Sequence, residues 1–179
     1  MKDILGGMFD EIVSLKEAGI DHETVEDGKT FMENAVKKAR EIAEISGCWA
    51  IADDSGICVD ALGGAPWTDS ARFSGHHGDD EANNRLLLEK LEGVEDRAPT
   101  TPVPSPWWGP GQRDEAEGDM YGSIGFEEKG SNGFGYDPLF VLAHDGGLTA
   151  AQISPEEKNR ISYRSKALHR LLQELGKEK

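Results

Sequence analysis

The spacing of apolar residues predicts three helices. Thr30 and Glu33 form a capping box that begins the first helix. Its apolar stripe consists of Phe31, Ala35, Ala39, Ile42 and Ala43. On this register Lys38 lies beside the stripe. A second helix is predicted from Asp80 to Leu91, and a third begins at Ser154, where Pro and Glu follow as they do at helix starts.

Shorter apolar stretches bounded by turn residues predict strands. We expect strands at Glu11 to Leu15, at Gly122 to Glu127 and at Pro138 to Leu142. The apolar run from Trp49 to Ala52 predicts another buried strand that ends at Asp53-Asp54. Helices and strands alternate along the chain, which predicts an α/β fold. A chain of 179 residues is long enough for one domain with a substantial core.

Residues 98–117 depart from this alternation. The segment from Ala98 to Pro110 carries five of the eight prolines of the chain, and proline cannot donate in a central strand. We therefore expect an extended surface loop or linker. If the codons of Trp107-Trp108-Gly109 are read one base earlier, they encode two apolar residues and a glycine. We therefore hypothesise that a local frameshift, restored before Glu117, produced this segment.

Charge limits the partners of the protein. The net charge is −15, from 19 basic and 34 acidic side chains, which argues against binding to nucleic acid or to an anionic membrane. A polyphosphate would also be repelled unless a divalent cation and local lysines or arginines reversed the field. A phosphate-handling function therefore requires a metal ion.

The two cysteines and the absence of a targeting pattern indicate a reducing compartment. Cys48 and Cys58 form no disulfide framework and match no zinc-binding spacing, so both are expected to be small buried side chains. No signal segment and no membrane-length apolar run are recognisable. A cytoplasmic location is the expectation.

The acidic turn Asp53-Asp54-Ser55-Gly56 is the first candidate for chemistry. Carboxylates at the end of a strand can bind Mg²⁺ through a few oxygens and leave the other positions to water and substrate phosphates. The alternative is an ordinary polar turn, which an isolated match of this kind would favour.

Further motifs change that balance because they occur together and in order. The acidic turn is accompanied by segments that begin at Phe31, Ser70, Gly133, Glu156 and Ile161. Together the segments resemble the inosine triphosphate pyrophosphatase family, also called XTP/dITP diphosphatases. The agreement covers most of residues 23–96 and 118–175, and five weak motifs in order make a specific signal.

The resemblance implies a reaction and an architecture. Members of this family hydrolyse non-standard purine nucleoside triphosphates (ITP, dITP and XTP) to the monophosphate and pyrophosphate, which keeps deaminated purines out of nucleic acid. They are Mg²⁺-dependent homodimers. Their fold is an elongated mixed β-sheet flanked by helices, with two lobes and a cleft between them. A single domain of this kind is therefore expected over residues 1–179.

The resemblance also implies roles for individual residues. Asp54 matches the proton acceptor and metal ligand of the family, and Glu26 matches its second metal-binding carboxylate. Lys38, Lys158 and Arg164 match positions that contact the substrate. Without the family, Glu26 would be a solvated loop acid and Lys38 a solvated helix lysine. Two further substrate contacts are expected at Ser55 and Tyr163.

The predicted nucleobase pocket is the segment Phe134-Gly135-Tyr136-Asp137. An aromatic ring would stack on the purine, while backbone and carboxylate groups bind its edge. A site that hydrogen-bonds a 6-oxo group discriminates against adenine, because adenine would leave buried polar groups unpaired. The alternative is a glycine-rich turn with Phe134 in the core.

Three departures from the family pattern oppose full activity. The chain begins at the helix that follows the family's first strand and phosphate-binding loop, so both are expected to be missing. Tyr163 stands in a position where the family has His, and Trp67 where it has Gly. These departures motivate an alternative function: a catalytically impaired relative that binds nucleotide or dimerises without turnover. A third reading is another phosphohydrolase that uses Asp53-Asp54 as nucleophile and acid.

Overall fold

The computed structural model describes residues 5, 7, 9–97, 107–109, 112–114, 122–143, 146–162, 165, 166, 168, 169 and 173. The chain divides into two compact units. The first unit combines residues 1–54, 104–118 and 163–179, and the second combines residues 55–103 and 119–162. The single domain expected from the sequence stays a prediction.

The first unit is organised by helix α1, Phe31–Ser46. The Thr30 side chain caps it by accepting a hydrogen bond of 3.1 Å from the Glu33 N–H, as predicted. The carboxylate of Glu33 accepts from Lys29 N, one residue before the partner expected in a capping box. The helix ends at Gly47, whose φ of 67° is easily adopted by glycine.

The buried face of α1 contains one polar residue that the predicted stripe omits. Phe31, Ala35 and Ala39 are buried as expected, and Asn34 lies among them with no exposed surface. Asn34 follows Phe31 by three residues, so both side chains point to the same side of the helix.

Part of the proline-rich segment forms a hairpin, which corrects the expectation of a loop or linker. Strand β1, Trp107–Gly109, pairs antiparallel with β2, Gln112–Asp114, and β1 packs against α1. Most of the prolines precede β1, and Pro110 falls between the two strands, so the ladder itself contains no residue that lacks an N–H.

Two predicted strands of this unit are wrong. Residues 11–15 form no strand, because Ser14 and Glu17 bond to each other through their backbone N–H groups and side chains and start a turn. Residues 49–52 are not in a strand either, because a strand requires a hydrogen-bonded neighbour and the described residues provide none for them.

The second unit packs helix α2, Asp80–Lys90, on a hairpin. The Asp79 side chain caps α2 by accepting from Ala82 N at 3.0 Å. Strand β3, Gly122–Ile124, pairs antiparallel with β4, Phe140–Leu142, within the two segments where strands were expected. The core that they enclose consists of Ile57, Val59, Leu87, Leu91, Ile124 and Leu139.

Shorter helices complete the second unit. Two 3₁₀ helices occupy Asp60–Leu62 and Trp67–Arg72, and helix α3 runs over Pro155–Ile161. The Ser154 side chain caps α3 by accepting from Glu157 N at 3.1 Å, as the sequence predicts. The helix ends where Ser162 leaves helical geometry.

The two cysteines differ in exposure. Cys58 is buried as predicted, but Cys48 is exposed just after the end of α1. Across the part of the chain that the structure describes, no helix is long and apolar enough to cross a membrane.

Trp67 adopts a backbone conformation that disfavours its side chain. Its φ of 53° lies in the left-handed region, where an L-residue with a Cβ costs about 1–2 kcal/mol. We expect Trp67→Gly to raise the free energy of unfolding by about 0.5–1 kcal/mol, because glycine relieves this strain but has more freedom in the unfolded chain. Urea denaturation of both proteins measures the difference, and equal or lower stability of the variant would contradict the expectation.

Candidate active site

Two acidic side chains of the first unit converge on one lysine. The Lys38 Nζ lies 3.0 Å from Asp54 Oδ1 and 3.2 Å from Glu26 Oε1. Only 11% of the Asp54 side chain, 22% of Glu26 and 23% of Lys38 is exposed, so solvent screens these charges only partly. The three residues come from α1 and from two segments outside regular structure. With Asn34 they are called the carboxylate cluster below.

Asn34 joins the two sides of the carboxylate cluster. Its Nδ2 donates to Asp54 Oδ2 at 3.0 Å, and its Oδ1 accepts from Gly28 N at 2.8 Å. The buried amide therefore fixes the rotation of the Asp54 carboxylate and the course of the loop that carries Glu26. A Cβ on Gly28 would overlap the Asn34 Oδ1, so this close approach requires glycine.

A second side chain of α1 supports the loop around Glu26. The Lys37 Nζ donates to Val25 O and to Asp27 Oδ1, both at 2.7 Å. These contacts lie on either side of Glu26 in the chain. Consecutive lysines of one helix thus have different tasks, since Lys37 holds the loop backbone and Lys38 holds the two acids.

The electrostatics of the cluster favour a carboxylate that can accept a proton. Burial raises the pKa of Asp54 above its usual range, and the nearby Glu26 adds to this effect, while Lys38 and Asn34 oppose it. Burial alone would lower the pKa of Lys38, but attraction and hydrogen bonds from Asp54 and Glu26 raise it, so the lysine stays charged. A carboxyl with a raised pKa is a stronger base when ionised.

The donor set of the cluster fits Mg²⁺ rather than a metal that needs a complete protein cage. Mg²⁺ is commonly bound through one or two carboxylates, with water and phosphate oxygens completing its octahedron. Glu26 and Asp54 supply such a pair of hard oxygen ligands. The described residues contain no group of three or more His, Cys, Asp or Glu side chains arranged to hold a metal ion.

A separate group of predicted residues meets in the second unit around Asp137. The Asp137 Oδ2 accepts from Phe134 N at 2.8 Å and forms an ion pair with Lys158 Nζ. The same ammonium lies 4.4 Å from the centroid of the Phe134 ring, a cation–π contact. Residues 134–137 are called the aromatic loop below. The Phe134 side chain is 55% exposed and is therefore not in the core.

The aromatic loop has little space for variation beside Asp137. Gly133 has a φ of 83°, and a Cβ on it would overlap the Asp137 carboxylate. Glycine is required here both for the backbone conformation and for the close approach of the side chain.

The middle of the aromatic loop is bound to neighbouring elements of the second unit. Gly135 N donates to Asp80 Oδ2 at 2.7 Å, and Gly135 O accepts from Asn84 Nδ2 at 3.1 Å. The Tyr136 hydroxyl donates to Ser70 O at 2.8 Å. Burial, with a smaller effect of Asp80, raises the pKa of Tyr136, so its phenol remains a proton donor at neutral pH.

The structure brings together two sets of the predicted residues and leaves the others open. Glu26, Lys38 and Asp54 meet in the first unit, whereas Phe134, Asp137 and Lys158 meet in the second. These three residues of the second unit, with Gly135 and Tyr136, were all predicted to bind substrate, and that role stays a prediction. So does the role of Ser55, which follows Asp54 directly. Tyr163 and Arg164 lie outside the described residues.

Three polar residues around these groups escaped the sequence reasoning: Asn34, Asp80 and Asn84. The sequence contained a signal for the two asparagines, because each lies three residues from an apolar residue on the buried side of its helix: Asn34 from Phe31, and Asn84 from Leu87. Asn34 and Asn84 are almost fully buried, and a buried amide usually has a specific hydrogen-bonding task.

Comparison with known sequences and structures decides the family. The Ham1 family matches residues 1–174, nearly the whole chain. The chain belongs to the Ham1 family. The family predicted from the motifs is thereby confirmed. Two relatives that are 42% and 45% identical to this chain carry the name "dITP/XTP pyrophosphatase", which is the activity of the predicted family.

The Ham1 relatives are similar over most of their own length. A "dITP/XTP pyrophosphatase" of Clostridium tetani is 42% identical over 187 residues, with 98% of this chain and 89% of the relative covered. One from Desulfotalea psychrophila is 49% identical over 168 residues, which cover 93% and 75% of the two chains.

Solved Ham1 structures share the fold. The Ham1 protein of Staphylococcus aureus superposes with a TM-score of 0.84 at 37% identity and covers 99% of this chain and 92% of its own. A structure described as nucleoside-triphosphatase / dITP/XTP pyrophosphatase from Mycobacterium abscessus gives a TM-score of 0.73 at 42% identity, with 97% and 91% covered. The chain therefore has the fold of the Ham1 structures, as the resemblance implied, and the sheet predicted from the alternating elements stays a prediction.

Proposed function

We propose that the protein hydrolyses non-standard purine nucleoside triphosphates, among them dITP, ITP and XTP, to the nucleoside monophosphate and pyrophosphate. The observation that carries the proposal is the convergence of Glu26 and Asp54 on Lys38, in a chain that is 42–49% identical to several dITP/XTP pyrophosphatases. The function prevents deaminated purines from entering nucleic acid.

The carboxylate cluster is assigned to the phosphate end of the substrate. Asp54 accepts a proton from the attacking water, whose oxygen forms a bond to the α-phosphorus as pyrophosphate leaves. Mg²⁺ bound by Glu26 and Asp54 would neutralise charge on the leaving pyrophosphate. Lys38 keeps both acids in place and offers positive charge to phosphate oxygens in a protein whose net charge is −15. Ser55 is assigned a hydroxyl contact to phosphate.

The aromatic loop is assigned to the purine. The exposed ring of Phe134 offers a face for stacking, and the ammonium of Lys158 above it attracts the carbonyl oxygens of a deaminated purine. Asp137 is held by Phe134 N and Lys158, which leaves its remaining acceptor capacity for the N–H groups of the base edge. Tyr163 and Arg164 are assigned to the same task on the strength of the family motif alone.

The family resemblance adds further features to this proposal. They are the elongated mixed sheet with two lobes and a cleft, the homodimer and the cytoplasmic location, and the need for Mg²⁺ agrees with the pair of carboxylates at Glu26 and Asp54.

Pyrophosphate release tests the proposal. With Mg²⁺ present, we expect rapid release from ITP, dITP and XTP, and release from ATP that is slower by about a hundredfold or more in kcat/KM, because adenine has no 6-oxo group. Omitting the metal or adding a chelator should stop the reaction. Orthophosphate as the product would indicate a different phosphohydrolase, and nucleotide binding without any product would indicate the impaired relative.

A further inference from the structure

Two side chains of helix α2 hold both backbone groups of Gly135, the glycine at the centre of the aromatic loop. Asp80 accepts from its N–H at 2.7 Å, and Asn84 donates to its C=O at 3.1 Å. Gly135 has a φ of 59°, a conformation that glycine adopts without strain. The loop is therefore held at this residue through both of the peptide units that flank its Cα.

The two side chains that hold Gly135 lie on the same face of helix α2. Asp80 and Asn84 are four residues apart, so they lie one above the other on α2. Helix α2 is itself fixed in the core, since Leu87 and Leu91 are fully buried. A rigid element thus determines where the backbone of Gly135 lies.

Asn84 has no other hydrogen-bonding task within the described part of the chain. Its side chain is 3% exposed, and its Oδ1 is buried with no hydrogen-bond partner among the described residues. Burying an amide with an unmade hydrogen bond costs free energy. Within the described part of the chain, the hydrogen bond to Gly135 O is the side-chain contact of Asn84 that offsets this cost.

The contact with α2 has a consequence for the residues beside Gly135. Both polar backbone groups of Gly135 are already bonded, so a ligand would be met by the flanking groups: the exposed Phe134 ring and the Asp137 carboxylate. The distance between ring and carboxylate depends on the backbone conformation of Gly135. Misplacement of binding groups by about 1 Å can strongly reduce their effect.

We propose that Asp80 and Asn84 are positioning residues that set purine discrimination by fixing Gly135 between Phe134 and Asp137. They act through the loop and do not touch the base. This inference rests on the proposed function for its substrate, and on the geometry of α2 and the loop for its mechanism.

Kinetics with matched variants test the discrimination. Asn84→Ala is expected to raise KM for ITP about tenfold, to change kcat by less than about twofold and to lower the ITP/ATP ratio of kcat/KM about tenfold. Asn83→Ala is the control, because Asn83 is equally buried but bonds to Ser74 N and Ala71 O instead of the loop. Equal ITP/ATP ratios in the two variants would overturn the proposal.

The exposed partner is tested by a conservative pair. Asp80→Asn keeps an oxygen that can accept from Gly135 N and should retain most of the discrimination, whereas Asp80→Ala should lose it. Glu81→Ala, which alters the same first turn of α2, should behave like the unmodified protein. A loss of equal size in Asp80→Asn and Asp80→Ala would show that the charge, and not the hydrogen bond, matters, and would overturn the positioning role of Asp80.

Hydrogen exchange separates failure of this inference from failure of the proposed function. In Asn84→Ala and Asp80→Ala, the peptide containing Gly135 should exchange its amides faster by about tenfold or more, while peptides of α2 near Leu87 stay protected. This result needs no substrate. If the unmodified protein released no pyrophosphate but the loop lost protection, the proposed function would fail and the positioning would stand. Unchanged exchange would overturn the positioning.

Discussion

Replacing Asp54 by Asn is expected to lower kcat for dITP by about two to four powers of ten. The variant keeps the size of the side chain and an oxygen for Lys38, but its amide cannot accept the proton of the attacking water. It is also a weaker ligand for Mg²⁺. Steady-state release of pyrophosphate, with the folded fraction checked by circular dichroism, measures the loss.

The neighbouring acid provides the control for Asp54. Asp53→Asn removes the same charge one residue earlier and is expected to change kcat by less than about tenfold, because Asp53 is not part of the carboxylate cluster. Equal losses in both variants would instead support a mechanism in which the two carboxylates act as nucleophile and acid. Full activity of Asp54→Asn would remove Asp54 from the chemistry altogether.

Replacing Asn34 by Ala is expected to have the second largest effect, because it reduces stability and turnover together. The variant leaves Gly28 N and Asp54 Oδ2 without their partner. Loss of two hydrogen bonds at a site with no exposed surface should cost about 2–4 kcal/mol of unfolding free energy. The Asp54 carboxylate also becomes free to rotate, so kcat per folded molecule should fall about tenfold or more.

Asn83→Ala separates these two effects. Asn83 is as buried as Asn34 and also makes two side-chain hydrogen bonds, but neither bond goes to the carboxylate cluster. Urea denaturation should show a similar loss of stability in both variants, while kcat corrected for the folded fraction should fall only in Asn34→Ala. An unchanged kcat per folded molecule in Asn34→Ala would mean that Asn34 contributes to stability alone.

The helices could be predicted from the sequence because their signals are local. Thr30, Asp80 and Ser154 stand at or next to helix starts, and each of the three expected helices is present with a side-chain cap. The apolar stripe of α1 was correct for Phe31, Ala35 and Ala39. A capping hydrogen bond joins residues three apart, so the pattern needs no knowledge of the rest of the chain.

The strands were harder because pairing is not local. The apolar residues at 11–15 and 49–52 have suitable composition but no ladder partner among the described residues, and Ser14 with Glu17 favours a turn. Conversely, the expected loop around Trp107 contains a short hairpin, because its prolines lie outside the two paired segments. Neither outcome follows from composition alone.

The residues of the candidate site were also only partly predictable from the sequence. The family motifs identified Glu26, Lys38 and Asp54, and the geometry shows that these residues are in contact. The motifs did not identify the two buried amides that hold the predicted residues. Asn34 bonds to Asp54, twenty positions away, and Asn84 bonds to Gly135 of the aromatic loop, fifty-one positions away. Supporting contacts of this kind depend on tertiary structure and carry no fixed sequence spacing.

The ammonium of Lys38 gives the first unit a counter-ion of its own. Two mostly buried carboxylates close together would normally resist folding, and many proteins solve this difficulty with a bound cation. Here a covalently attached charge does so, and the chain can therefore assemble before any divalent ion or nucleotide arrives. Purification in chelating buffers is compatible with this arrangement, and metal can be added afterwards as an independent variable.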